Sequence, residues 1–245
     1  MTEGIGKEFL EKTKYKYLSE SYQRRGVPQP ALELPYDPTA ELISLPDSET
    51  LPAYPIDLRR AIDQRVSLRR YQQQPLTQAE LSFLLWTTQG VKSVTNRPVT
   101  LRTVPSAGAR HAFETFLLIN RVEGIEPGMY RYIGLEHALL PIELNAEIAE
   151  KVADACMQQN QVTRSAVTFI WVAVTERMYW RYGERGYRYL HLDAGHVCQN
   201  LYLAAEAIQS GVCAMAAFDD DRLNALLGLD GQDLWVIYCG ALGKR

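Results

Sequence analysis

Apolar and polar positions change rhythm several times along this chain, and each change predicts an element. The densest apolar run, Ala166-Val-Thr-Phe-Ile-Trp-Val-Ala-Val174, is rich in β-branched residues and apolar at odd and even positions alike. That is the pattern of a central strand covered on both faces. Residues 113–120 are nearly as continuous and predict a second strand. After a turn at 123–128, short runs at 129–133 and 138–142 read as a meander, and 212–217 and 234–240 as two further strands. Elsewhere the spacing is helical. Ile56-Asp57-Leu58-Arg59-Arg60-Ala61-Ile62 opens a helix that runs to about Arg65. Thr77-x-x-Glu80 is a capping box, behind which Leu81, Leu84, Leu85 and Thr88 share one face until Gly90 stops the helix. Residues 91–103 look polar and irregular, and 143–159 read as a helix. A long helix is expected over 188–210, with Val197, Leu201, Ala204, Ala205 and Ile208 on its apolar face and Gly211 just past its end. A short helix follows at 221–227. Strands and helices mix without a strict β-α-β rhythm, which argues for α+β: a mixed or mostly antiparallel central sheet flanked by helices.

The first 55 residues have a different texture. Pro28, Pro30, Pro35, Pro38, Pro46, Pro52 and Pro55 deny them long regular elements, apart from a first helix near 7–22. The chain therefore divides into an extension, 1–55, that wraps over the body, and the body itself, 56–245.

Composition narrows the function classes. Of 245 residues, 47% are apolar and the formal net charge is −3, so no basic field recruits nucleic acid. No run of about 18 apolar residues is present to span a membrane, and the charged N-terminus lacks the apolar core of a secretory signal. The four cysteines, Cys156, Cys198, Cys213 and Cys239, sit in apolar stretches without a C-x-x-C pair, as buried reduced thiols of a cytoplasmic protein do. His191 and His196 are five apart, off the spacing that places two metal ligands on one helical face, so no metal site is expected.

Three stretches carry candidate chemistry. Arg65-Val66-Ser67-Leu68-Arg69 puts two guanidinium forks and a hydroxyl within one turn. Such a set can grip a phosphate, or simply complement the end of the preceding helix. Pro105-Ser106-Ala107-Gly108-Ala109-Arg110-His111 precedes a strand. Its small residues either let backbone groups approach a flat ligand or form a tight turn. Asp193-Ala194-Gly195-His196-Val197-Cys198-Gln199-Asn200-Leu201 places two amides on the long helix, for a ligand or for a satisfied buried network.

Arg-x-Ser-x-Arg, Pro-Ser-Ala-Gly and Asp-x-Gly-His-x-x-Gln-Asn-Leu, followed by an apolar strand ending in Ala-Phe, together resemble the nitroreductase family of flavoproteins. The SagB-type (ThcOx-like) dehydrogenase branch is the closer likeness, through Gly128-Met-Tyr-Arg-Tyr132 with His137 and through Tyr182-Gly-Glu-Arg-Gly-Tyr-Arg-Tyr189. The resemblance runs from about Ile56 to Leu242. It implies the nitroreductase fold, a homodimer and FMN bound at its interface. By analogy Arg65, Val66 and Ser67 hold the phosphate and ribityl end, and Arg69 faces either the phosphate or the flavin N1 edge. Pro105, Ser106, Ala107 and Gly108 border the ring, Gln199 adds an amide, Ala216 and Ala217 offer backbone N–H to N5, and Lys244 and Arg245 reach the phosphate. Azoline-oxidising members carry a Lys-Tyr pair where this chain has Arg181-Tyr182. Arginine stays protonated and cannot act as a base at neutral pH, which leaves Tyr182 as the proton-handling member of the catalytic pair.

The implied activity is an FMN-dependent oxidoreductase moving hydride between flavin N5 and a small-molecule or peptide substrate. Two alternatives stay open: an NAD(P)H-dependent nitro or quinone reductase, and a flavin-binding accessory protein without turnover.

Overall fold

Residues 167–174 are buried without exception, and the architecture is built outward from them. The computed structural model describes residues 4–97, 99–145 and 147–245. Nine strands are named in chain order: β1 (Ile43–Ser44), β2 (Val91–Val94), β3 (Thr100–Arg102), β4 (Phe113–Ile119), β5 (Gly128–Ile133), β6 (Ala138–Glu143), β7 (Val167–Val174), β8 (Ser210–Met215) and β9 (Leu234–Lys244). Seven of them form one sheet in the order β1-β6-β5-β4-β7-β9-β8. Every pairing within it is antiparallel, so of the two expected sheet types the antiparallel one is realised.

Alternation along β7 divides the interior in two. Phe169 and Trp171 point to one face of the sheet, Ile170 and Val172 to the other. The first face is covered by α3 (Gln78–Gln89) and α7 (Gly186–Ala207), through Leu81, Leu84, Leu85, Val197 and Leu201. The second is covered by α4 (Ile148–Ala155) and α8 (Asp220–Leu226), through Val152 and Leu223. The remaining helices are α1 (Ile5–Lys12), α2 (Leu58–Gln64), α5 (Gln161–Arg164) and α6 (Thr175–Tyr182). The capping box is present as expected: Glu80 N donates to Thr77 Oγ1 at 3.1 Å, and Thr77 N donates to Glu80 Oε2 at 3.0 Å. Among the described residues no helix is long and apolar enough to cross a membrane.

Several boundaries differ from expectation. Residues 91–103 are not irregular: β2 and β3 pair as a small hairpin, with a bulge between Val91 and Ser93. The helix expected over 143–159 is shorter: residue 143 ends β6, the helix spans only Ile148–Ala155, and Met157 and Gln158 leave it in left-handed conformations at φ 55° before a separate short helix at Gln161–Arg164. The long helix stops at Ala207, Gln209 makes the left-handed turn at φ 55°, and Gly211 lies inside β8. The first helix ends at Lys12 and is followed by a single 3-10 turn, Tyr15–Tyr17. Nothing in the sequence pattern announced α6.

The proline-rich leader is fastened to the body by hydrogen bonds across its length. Gln23 N donates to Trp180 O at 2.9 Å, and Trp180 Nε1 donates to Val27 O at 2.8 Å. Arg177 donates to Ala31 O through Nε and to Glu114 through Nη2 at 2.6 Å, an ion pair almost wholly shielded from solvent. Arg131 Nη2 donates to the carbonyls of Leu34 and Pro35. His137 closes the series at Pro46. Its Nε2 lies 2.7 Å from Ser82 Oγ, which itself donates to Pro46 O, and its Nδ1 lies 2.7 Å from Tyr132 Oη. Tyr132 and His137, singled out in the sequence, thus hold the leader together with Trp180, and Tyr179 meets Tyr22 edge-on at 5.4 Å.

Candidate active site

After α2 the chain runs as an extended strap across the outer strands of the sheet. Leu68 N donates to Val212 O at 2.9 Å and Gln72 N donates to Lys244 O at 3.0 Å, which ties the strap to β8 and β9 in turn. It lies so close that a Cβ on Gly211 would sit 2.7 Å from Leu68 Cβ, so this position needs glycine. The strap fixes the arginines of the Arg-x-Ser-x-Arg motif. Arg65 lies over the Tyr202 ring at 5.2 Å, Ser67 Oγ is 3.1 Å from Tyr202 Oη, and Arg69 lies beside Cys213. Neither arginine has a carboxylate partner among the described residues. Val66 is exposed.

Tyr202 is the hub of this group. Its hydroxyl accepts from Ala214 N at 3.0 Å while meeting Ser67, so one phenol joins the strap, α7 and β8. A tyrosine in the apolar register of a long helix reads as core, which is why the sequence pattern did not single it out. Ala216 and Ala217 follow directly after β8 and are exposed. Gln199 is exposed on α7, whereas Asn200 donates to Thr87 O at 2.8 Å, so the two amides do not form one buried network.

The second group gathers around Asp193. Ser106 Oγ donates to Asp193 Oδ2 at 2.6 Å and Ala107 N to the same oxygen at 3.2 Å, while His111 N donates to Ser106 Oγ at 2.9 Å. Burial raises the Asp193 carboxyl above its usual value, against the opposing pull of these donors. Pro105 leads into this turn. Gly108 takes φ 59°, and a Cβ there would meet the Tyr182 hydroxyl and lie 2.8 Å from Arg181 Nε. The turn, Arg181 and Tyr182 therefore meet at one point. Tyr182 packs edge-on against Tyr189 at 4.7 Å, and Arg181 lies over the Tyr182 ring at 5.6 Å.

Helix α7 stands between the two groups. Asp193 and Tyr202 are nine residues apart, about 13 Å along the axis and about half a turn around it. They occupy opposite shoulders of the buried stripe. The ridge between them carries Leu192, Gly195, His196 and Gln199, all exposed. Ala194, Ala204 and Ala205 pack into this chain's own interior, with Ala204 and Ala205 on the apolar face expected of the helix. Lys244 and Arg245 are held elsewhere: Lys244 Nζ pairs with Glu80 and the Ile208 carbonyl, and Arg245 with Glu206 and the Ser210 carbonyl. Each cation therefore already has a carboxylate partner within the chain.

Comparison with known proteins gives a family. The family model described as Nitroreductase family matches residues 62–244. A protein of Methanocaldococcus jannaschii that bears a nitroreductase name is 34% identical over 198 residues, which is 81% of this chain and 95% of that protein. The trifolitoxin-processing protein TfxB of Rhizobium leguminosarum bv. trifolii is 29% identical over 133 residues, 53% of this chain and 36% of its own length. Among solved structures, a crystal structure from Anabaena variabilis, also nitroreductase by name, superposes with a TM-score of 0.71 at 30% identity. That match covers 85% of this chain and 42% of the other, so this chain spans under half of that protein.

Proposed function

This chain belongs to the nitroreductase family, and from that premise we propose that it is an FMN-dependent oxidoreductase of the SagB-type dehydrogenase kind, with a small or peptidic substrate. One observation carries the cofactor reading: Arg65, Ser67 and Arg69 stand together on a clamped strap, with both guanidiniums unmatched by carboxylate among the described residues. The donor set suits a phosphate-bearing cofactor, since guanidinium forks and a hydroxyl give charge-assisted bonds to phosphate oxygens.

When bound, FMN supplies the hydride chemistry. The chain's own residues bind and orient. Arg65, Val66 and Ser67 hold the phosphate and ribityl end, and Arg69 adds positive charge beside it. Gln199 and the exposed backbone at Ala216 and Ala217 face the ring, and Pro105, Ser106, Ala107 and Gly108 border it. Asp193 stiffens that border by accepting from Ser106 and Ala107. Tyr182, whose hydroxyl lies against Gly108, is the group placed to hold or pass a proton, and Arg181 beside it stays charged.

Within one chain α7 separates the 65–69 group from the 105–108 group. A reading that puts both around one flavin therefore calls for a homodimer, with the exposed ridge of α7 and the exposed α2 side chains Leu58 and Ile62 as surface to be covered. Similarity to the trifolitoxin-processing protein supports the peptidic substrate class. The deciding experiment is the visible spectrum of freshly purified protein, followed by anaerobic addition of NADH or NADPH. Flavin bands are expected. A colourless protein that takes up no FMN on reconstitution would refute the cofactor reading. Rapid bleaching by a nicotinamide would move the assignment to the reductase alternative.

A further inference from the structure

Gly108 is also where Arg181, the charged neighbour of Tyr182 in the flavin reading, meets Arg110, which that reading does not use. Arg110 Nε donates to Gly108 O at 3.2 Å, and its guanidinium lies over the Trp180 ring at 5.2 Å. Arg181 Nε approaches Gly108 from the α6 side. Both line a hollow of about 540 Å³ whose rim includes Arg97, Thr95 and Asn96 from the β2–β3 turn. No Asp or Glu is among its lining residues, and none of the three arginines forms an ion pair among the described residues. Arg110 is also buried, at 7% exposure. Burial, and then the like charge of Arg181, push its guanidinium below the usual value. Glu20 lines a neighbouring hollow that Arg181 and Gln23 also border, without an ion pair to Arg181 among the described residues.

A buried guanidinium such as Arg110, without a counter-charge and with the half-buried Arg181 beside it, is costly unless something negative visits it. The leader closes one side of this cavity through Gln23, and the neighbouring turn is the one assigned above to the ring. The size suits one small group or ligand fragment.

We infer that this hollow receives an oxyanion group, carboxylate or phosphate, of the molecule that exchanges electrons with the flavin, with Arg110 and Arg181 as its two forks and Arg97 at the rim. The inference rests on the flavin reading for the identity of the site, and on the arginines alone for its charge preference. It also gives Arg181 a role that lysine would fill less well, because a planar fork matches two oxygens at once.

Isothermal titration of the protein as purified tests it, using N-benzoylglycine, its neutral amide N-benzoylglycinamide, and inorganic phosphate as probes. Either N-benzoylglycine or phosphate should bind at least about tenfold more tightly than the amide, as loss of one charge-assisted contact implies. Arg97→Gln should weaken the bound anion about tenfold while FMN content stays unchanged, and Arg181→Gln should weaken the anion by a similar factor. Whichever probe responds to the substitutions identifies the oxyanion. Arg110→Gln is a less secure variant, since Arg110 also packs on Trp180. Acid and phosphate both binding no more tightly than the amide, or variants that bind the anion like the parent, overturn the inference. Anion binding by a protein that takes up no flavin would sink the cofactor reading and leave the hollow's charge preference standing. Retained flavin with no anion binding would do the reverse.

Discussion

Replacing Arg65 by alanine removes one fork of the phosphate grip, and the structure bounds what that costs. Arg65 is half-buried and has no carboxylate to neutralise it among the described residues, so its charge is available to a ligand. Hydrogen bonds to charged groups contribute about 1.5–3 kcal/mol. Partial solvent access places this one toward the lower end, about 1.5–2 kcal/mol, which is roughly a tenfold to thirtyfold loss of FMN affinity. Arg65 also lies over Tyr202 at 5.2 Å, and losing that contact removes about 0.5–1 kcal/mol of fold stability. The assay is titration of FMN into flavin-free protein, read by quenching of flavin fluorescence at two salt concentrations. The variant should bind more weakly and depend less on salt. Arg65→Lys should fall between, because an ammonium keeps the charge without the fork. A variant that holds FMN as tightly as the parent, at both salt concentrations, refutes the assignment of Arg65.

Tyr202→Phe should cost about 1–2 kcal/mol in chemical denaturation, because it strips the acceptor from Ala214 N. It should also weaken FMN binding modestly by freeing Ser67, and unchanged stability would count against the hub. Burial, then the charges of Arg102 and Arg110, lower the His111 imidazole from 6.5 to about 3. Its contribution to stability is whole above 6.5 and is lost as pH falls toward about 3, since only the unfolded chain then takes the proton, at up to about 1.4 kcal/mol per pH unit. His111→Asn, which tolerates the φ of 43° found there, should flatten that acid-side loss in urea melts, and an unchanged slope would contradict it. Leu192→Glu places a charge on the exposed ridge of α7 and should shift sedimentation from dimer to monomer with loss of bound flavin. A variant that stays dimeric removes the ridge from the interface.

What was legible in the sequence was what short-range physics decides. The capping box at Thr77 and Glu80 needs only four residues, and β7 needs only its own apolar run. The β2–β3 hairpin was hidden because its residues are polar and only cross-strand pairing orders them. Gly211 drew the helix end toward itself because glycine usually makes the left-handed turn, whereas Gln209 makes it here. At the site, the residue types of the strap and of the 105–108 turn were readable. Their separation by α7 was not, because it depends on which shoulder of the helix Asp193 and Tyr202 occupy. Lys244 was placed by resemblance, and its ion pair with Glu80 joins residues far apart in the chain.

The fastening of the leader constrains how the molecule emerges from the ribosome. Val27 and Ala31 find their partners at Trp180 and Arg177, about 150 positions downstream. At roughly 5–20 residues per second, the nascent segment waits on the order of 10 to 30 seconds before its docking surface has been synthesised. During that interval its tyrosines and prolines are solvated and open to chaperones or proteases. The segment is thus translated well before the surface that receives it.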